Sequence, residues 1–95
     1  MVKRLIWSPG ALQSIDKIAE YIAMDSLFYA KIFARKIFGF GEQITLFPKS
    51  GRIVPEYGKE NLREIIYGNY RIVYRIDNET INILTVSSSA QILDI

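Results

Sequence analysis

Arg71, Glu64 and Arg75 are the residues of this chain whose types and spacing suit chemistry. Two guanidinium groups beside one carboxylate can hold phosphate charge, and a phosphoryl transition state needs such cationic stabilisation. The stretch that must bring them together is LREIIYGNYRIVYRI, Leu62 to Ile76. Gly68-Asn69 stands between two runs rich in Ile, Val and Tyr. A two-residue turn of this kind is a strong hairpin signal, and it fixes the strand register. Tyr67 is then opposite Tyr70, Ile66 opposite Arg71, Glu64 opposite Val73 and Leu62 opposite Arg75. One face carries Arg63, Ile65, Tyr67, Tyr70, Ile72 and Tyr74. The other carries Leu62, Glu64, Ile66, Arg71, Val73 and Arg75, with Glu64 diagonal to both arginines.

Breaking a phosphodiester would also require proton transfer at the nucleophile and at the leaving group. The chain has no histidine. Glu64 is the one carboxylate on the cationic face, and Tyr67 and Tyr70 are predicted on the opposite one. Each missing proton-transfer step forgoes roughly 10²–10⁴ in rate. Three readings of the Arg71–Glu64–Arg75 set follow: a solvated cross-strand ion network, a docking surface for a partner chain, or direct contact with target or substrate. If the chain is a nuclease, these three residues are its catalytic candidates.

The elements that must position this face lie upstream. Ser8-Pro9 reads as a helix start, with Ser8 at the N-cap and proline at the first helical position. Leu12, Ile15, Ile18, Ala19 and Ile22 recur at helical spacing, which predicts an amphipathic helix to about Met24. Asp25-Ser26 can end it and cap a second helix running to about Phe47, where Pro48 stops it. Gly39 and Gly41 each cost that second helix about 1 kcal/mol against alanine, unless close packing offsets the loss. Phe28, Tyr29, Ile32 and Phe38 fall off its main apolar stripe. They read either as a wide buried face or as an exposed patch for another chain.

Val2 to Trp7 is a short strand candidate, and Thr80 to Ser87 alternates as a strand. If Asp77 pairs with Thr80, Arg71 lies opposite Val86 and Arg75 opposite Asn82. Lys49 to Asn61 reads as a polar connection, and Ser88 to Ile95 is ambiguous. The expected class is α+β: strand, two helices, three strands, with the helical hairpin covering one face of an antiparallel sheet. The Arg71–Val73–Arg75 face is expected to be open on the other side.

The 95 residues make one domain, 1–95, able to bury roughly 60–65% of the surface its unfolded chain exposes. A hydrophobic fraction of 49% excludes the disordered class. With no cysteine and no histidine, disulfides and the commonest metal ligands are excluded, and no cofactor is expected. The net charge of +2 fits an acidic partner or nucleic acid without demanding either. No apolar run approaches the ~18 residues of a membrane span, and Leu5 to Trp7 is too short for a signal peptide. A cytoplasmic protein without membrane association is the expectation.

The ordered set of motifs resembles the RelE/ParE superfamily of toxins from type II toxin–antitoxin modules. It comprises Trp7-Ser8-Pro9-x-Ala11, Ala30, Leu46-Phe47-Pro48-x-x-Gly51-Arg52-x-x-Pro55-Glu56, Arg63-Glu64, Tyr70-Arg71-Ile72-Val73-Tyr74, and a last strand ending in Val86. The resemblance covers nearly the whole chain. It implies a β-α-α-β-β-β fold and a small toxin held inactive by a cognate antitoxin, in a possible hetero-oligomer. RelE-like members cut messenger RNA on the ribosome; ParE-like members inhibit DNA gyrase.

Arg71 matches the phosphate-holding arginine of the RelE-like Tyr-Arg motif. Glu64 stands near the place of a family lysine. Ser88 and Gln91 stand where many ParE-like relatives show His-x-x-Arg. With the nuclease set stripped, the resemblance implies a ParE-like inhibitor of gyrase acting by binding. The alternatives are a RelE-like endoribonuclease and a non-toxic antitoxin-binding relative. The antitoxin is expected on Phe28, Tyr29 and Ile32, or on the open sheet face with Arg71, Arg75, Leu62, Val73 and Leu84.

Overall fold

In the computed structural model, which describes residues 3–95, two helices cover one face of a five-stranded sheet. The strands are β1 (Arg4–Trp7), β2 (Arg52–Ile53), β3 (Leu62–Tyr67), β4 (Tyr70–Ile76) and β5 (Thr80–Ser88). The helices are α1 (Pro9–Ala23) and α2 (Leu27–Leu46). Both start where the sequence places a cap. The Ser8 hydroxyl accepts from the Ala11 N–H at 3.0 Å, and the Ser26 hydroxyl accepts from the Tyr29 N–H at 3.2 Å. Pro48 ends α2 and opens a single 3-10 turn, Pro48–Ser50.

The strand order is β1-β5-β4-β3-β2. The β3–β4 hairpin has the register expected from its two-residue turn, from Tyr67 opposite Tyr70 to Leu62 opposite Arg75. Gly68 adopts φ +58°, while no non-glycine residue among those described has positive φ. That is the primed turn with glycine at the first central position, whose twist matches the flanking strands.

The sheet is mixed, which corrects the antiparallel expectation. β1 runs parallel to β5, from Arg4 opposite Thr80 to Trp7 opposite Ile83. Of the predicted Val2–Trp7 strand, Arg4–Trp7 is observed and Val2 lies outside the described residues.

The main core lies between the helices and the sheet. Ile15, Phe33, Ile37 and Ile44 meet Ile65, Ile72, Tyr74, Ile81 and Ile83. α2 comes close to β1 at one point: a Cβ on Gly41 would fall 2.9 Å from Leu5 Cδ2 and 3.1 Å from the Trp7 indole. Gly41 therefore offsets its helical cost through close approach. Gly39 faces open space and does not.

Two further expectations are corrected on the far side of the sheet. A bulge separates Val73–Thr85 from Tyr74–Ile83, leaving Leu84 as the extra residue of β5. Arg75 keeps its predicted partner Asn82, but Arg71 pairs with Ser87 rather than Val86. The one-residue shift also turns Val86 into the main core. The second face, moreover, is not open. The connection after β2 and the C-terminal tail cross it, and Val54, Leu62, Val73 and Leu93 close into a second apolar cluster. Tyr57 and Leu84 pack against it.

Candidate functional site

The hairpin delivers Arg71 and Glu64 to this covered face as expected, but buried rather than solvated. Arg71 is 4% exposed and Glu64 1%. Arg71 Nη1 donates to Glu64 Oε1 at 3.0 Å. The other Glu64 oxygen accepts from Arg52 Nε at 2.6 Å. Arg71 forks onto Glu56, with Nη1 to Oε1 at 2.9 Å and Nη2 to Oε2 at 2.5 Å. Nη2 also donates to the Gln91 carbonyl at 2.5 Å. Four donors of a five-donor group are thus committed. Arg71 Nε and Ser87 Oγ are buried without a partner, and these two residues face each other across β4 and β5.

The tail acts as a strap. Its Leu93 N–H donates to Glu56 Oε2 at 3.2 Å, and the Ile95 N–H donates to the Tyr57 hydroxyl at 3.0 Å. Leu93 fills the second apolar cluster. Arg52 is held in place by a separate lock. The Tyr74 hydroxyl donates to the Pro48 carbonyl at 2.6 Å and accepts from the Gly51 N–H at 3.0 Å. A Cβ at residue 51 would meet that hydroxyl at 2.6 Å and the Glu64 carbonyl at 2.7 Å, so only glycine passes there.

The electrostatics follow from these contacts. The Arg71 hydrogen bond, helped by the Leu93 N–H, holds the Glu56 carboxyl down to about 2. Glu56 in turn raises the Arg71 guanidinium above its ordinary value, against the cost of its burial. Burial pushes the Tyr74 hydroxyl up.

Other candidates are placed differently. Arg75 does not reach Glu64. Its side chain is 45% exposed and Nε donates to both Asp77 oxygens, at 3.1 and 3.0 Å. Leu62 and Val73 are core residues and Leu84 is half-buried, so they present no open docking face. On α2, Phe28 and Tyr29 are 67% and 63% exposed, and Ile32 is half-buried. The structure thus separates the helix candidates, which are accessible, from the sheet candidates, most of which are not.

Sequence reasoning missed Glu56, the strongest partner of Arg71, and the tail carbonyl. It read Arg52 as a loop residue. The available signal was the spacing Gly51-Arg52-x-x-Pro55-Glu56, which sets a cation and an anion on one short stretch beside a buried hairpin.

A helical hairpin over a mixed five-stranded sheet of this order is the fold of RelE/ParE superfamily toxins. The profile of the family described as ParE toxin of type II toxin-antitoxin system, parDE, matches residues 5–93, and the chain belongs to that family. No curated protein matches it at a significant level. Among solved structures, the chain is similar to one from the chromosomal ParDE toxin–antitoxin system of P. aeruginosa. The TM-score is 0.76 at 17% identity, over 92% of this chain and 96% of that one. It is also similar to a chain of the RelBE2 toxin–antitoxin complex from Mycobacterium tuberculosis, with TM-score 0.65 at 18% identity, over 93% and 99%. No helix among the described residues is long and apolar enough to cross a membrane.

Proposed function

We propose that this toxin acts by binding, as an inhibitor of DNA gyrase in the cytoplasm, and is neutralised by a cognate antitoxin. Membership of the ParE family supports the target class. The observation that carries the binding mode is the closure of the Arg71 network. Both oxygens of Glu64 are engaged by arginines, and Arg71 is bonded to two carboxylates and a carbonyl. Neither group is free to serve a scissile phosphate, and no imidazole exists to move a proton.

The antitoxin surface that this arrangement favours is the outer face of the helices. Phe28 and Phe38 are exposed there, and Lys31 and Arg35 form no ion pair among the described residues. An acidic amphipathic helix complements such a face.

The test compares two assays on purified toxin. Supercoiling by gyrase is inhibited and the antitoxin restores it, while transcripts in a translating extract stay whole. Ribosome-dependent cuts within codons, abolished by Arg71→Ala, would instead favour the endoribonuclease reading, for which the family position of Arg71 speaks. Absence of growth arrest on induction would favour the non-toxic relative.

A further inference from the structure

α1 carries Ser14, Lys17, Ile18 and Tyr21 on one stripe, spaced three, four and seven residues apart. The Ser14 hydroxyl pins that stripe to the sheet, accepting from the Val86 N–H at 3.1 Å and donating to the Ala11 carbonyl at 2.8 Å. Beside this joint lies a hollow of about 330 Å³, bounded by α1, the start of β4 and the end of β5. Ile18 and Val86 supply apolar lining, Lys17 the charge, Tyr21 and Tyr70 two aromatic rings, and Ser87, Ser88 and Gln91 one polar side.

Apart from the Ser14 and Ser88 hydroxyls, its polar chemistry is unspent. Among the described residues the Lys17 ammonium, the Tyr21 and Tyr70 hydroxyls and the Gln91 amide make no hydrogen bond, while Ser87 turns its hydroxyl to the Arg71 side of the sheet, away from the hollow. No carboxylate lines the hollow. The Tyr70 ring is fixed by an edge contact with Phe33, centroids 5.1 Å apart, so it is a preset surface. Tyr21 is 71% exposed one turn from Lys17 and free to close over a ligand.

We propose that this hollow binds one nucleotide unit, an aromatic base against the tyrosines with its phosphate on Lys17. Base–aromatic stacking is tolerant of base identity, and a lone lysine serves phosphate as a point charge. The Ser88 hydroxyl and the Gln91 amide at the β5 end supply donors and acceptors for a base edge or sugar. The volume lies at the low end for ligand sites and suits a single nucleotide. The site lies against α1 and does not depend on the gyrase reading. A free nucleotide and an unstacked nucleotide of a single strand share this chemistry.

The test is a titration of the isotope-labelled full chain followed by amide chemical shifts. One arm uses AMP, a second a short oligothymidylate, a third inorganic phosphate. Saturable shifts at residues 14–21 and 86–91 are expected with AMP or the oligonucleotide, and the stronger binder identifies the source. Lys17→Ala and Tyr21→Ala, both at exposed positions, should each weaken binding at least tenfold while leaving the rest of the spectrum unchanged. No saturable shift up to millimolar AMP and oligonucleotide would overturn the proposal. So would shifts confined to Arg52 and Arg75, or an equal response to phosphate alone.

Discussion

Arg71 and Glu64 sit on adjacent strands, bonded at 3.0 Å with their side chains 5% and 0% exposed, and every oxygen of Glu64 is taken by an arginine. A buried pair like this is worth little against a well-packed apolar substitute, but breaking it strands a charge. Glu64→Ala should therefore cost about 3–5 kcal/mol in urea unfolding. Replacing both members, Arg71→Met with Glu64→Leu, should cost clearly less than the sum of the single changes. A strictly additive pair of losses would mean that the contact carries no coupling.

Glu56 gives the fold an acid-side dependence. Its carboxyl falls from an ordinary 4.5 to about 2 through the Arg71 hydrogen bond and the Leu93 N–H. A lowered value in the folded state means the ionised form is favoured by folding. That stabilisation is complete above the unfolded value and is lost as pH falls from about 4.5 through about 2. Amide exchange at Leu93 and Ile95 should rise across this window as the strap loosens. Glu56→Gln should remove the pH dependence, leaving the strap loose at neutral pH.

The two glycines of α2 should respond oppositely to alanine. Gly39 faces open space, so Gly39→Ala should stabilise by up to about 1 kcal/mol through helix propensity alone. Gly41→Ala drives a methyl group into Leu5 and Trp7 and should destabilise by about 1–3 kcal/mol. Thermal melts of the two variants check the sign difference directly.

Antitoxin affinity should depend on α2 and not on the sheet. Phe28→Asp, or Lys31→Glu with Arg35→Glu, should weaken the complex by tenfold or more, measured by calorimetry. Arg75→Glu, at an exposed side chain paired only with Asp77, should change affinity less than twofold. The reverse pattern would return the docking surface to the sheet.

Much of this architecture was legible in the chain. Ser8-Pro9 and Ser26 mark both helix starts, and Gly68-Asn69 fixes the hairpin register, because caps and two-residue turns are local chemistry. The bulge at Leu84 was not legible, since Ile81, Ile83 and Val86 break a two-residue alternation only once. Nor was the parallel seat of β1, because four residues carry no orientation signal. The site was half legible. Arg71 and Glu64 share a face by register, but Glu56 and Leu93 reach it through a loop and a tail, whose course is set by tertiary contacts. Burial of Arg71 depends on those two segments, so the strand pattern alone made its face look open.

The central claim, inhibition of gyrase by binding, is tested most directly by titrating purified toxin into a gyrase supercoiling reaction. Binding predicts loss of supercoiling that saturates near one toxin per enzyme binding site and is reversed by adding the antitoxin. Full supercoiling at micromolar toxin would contradict it.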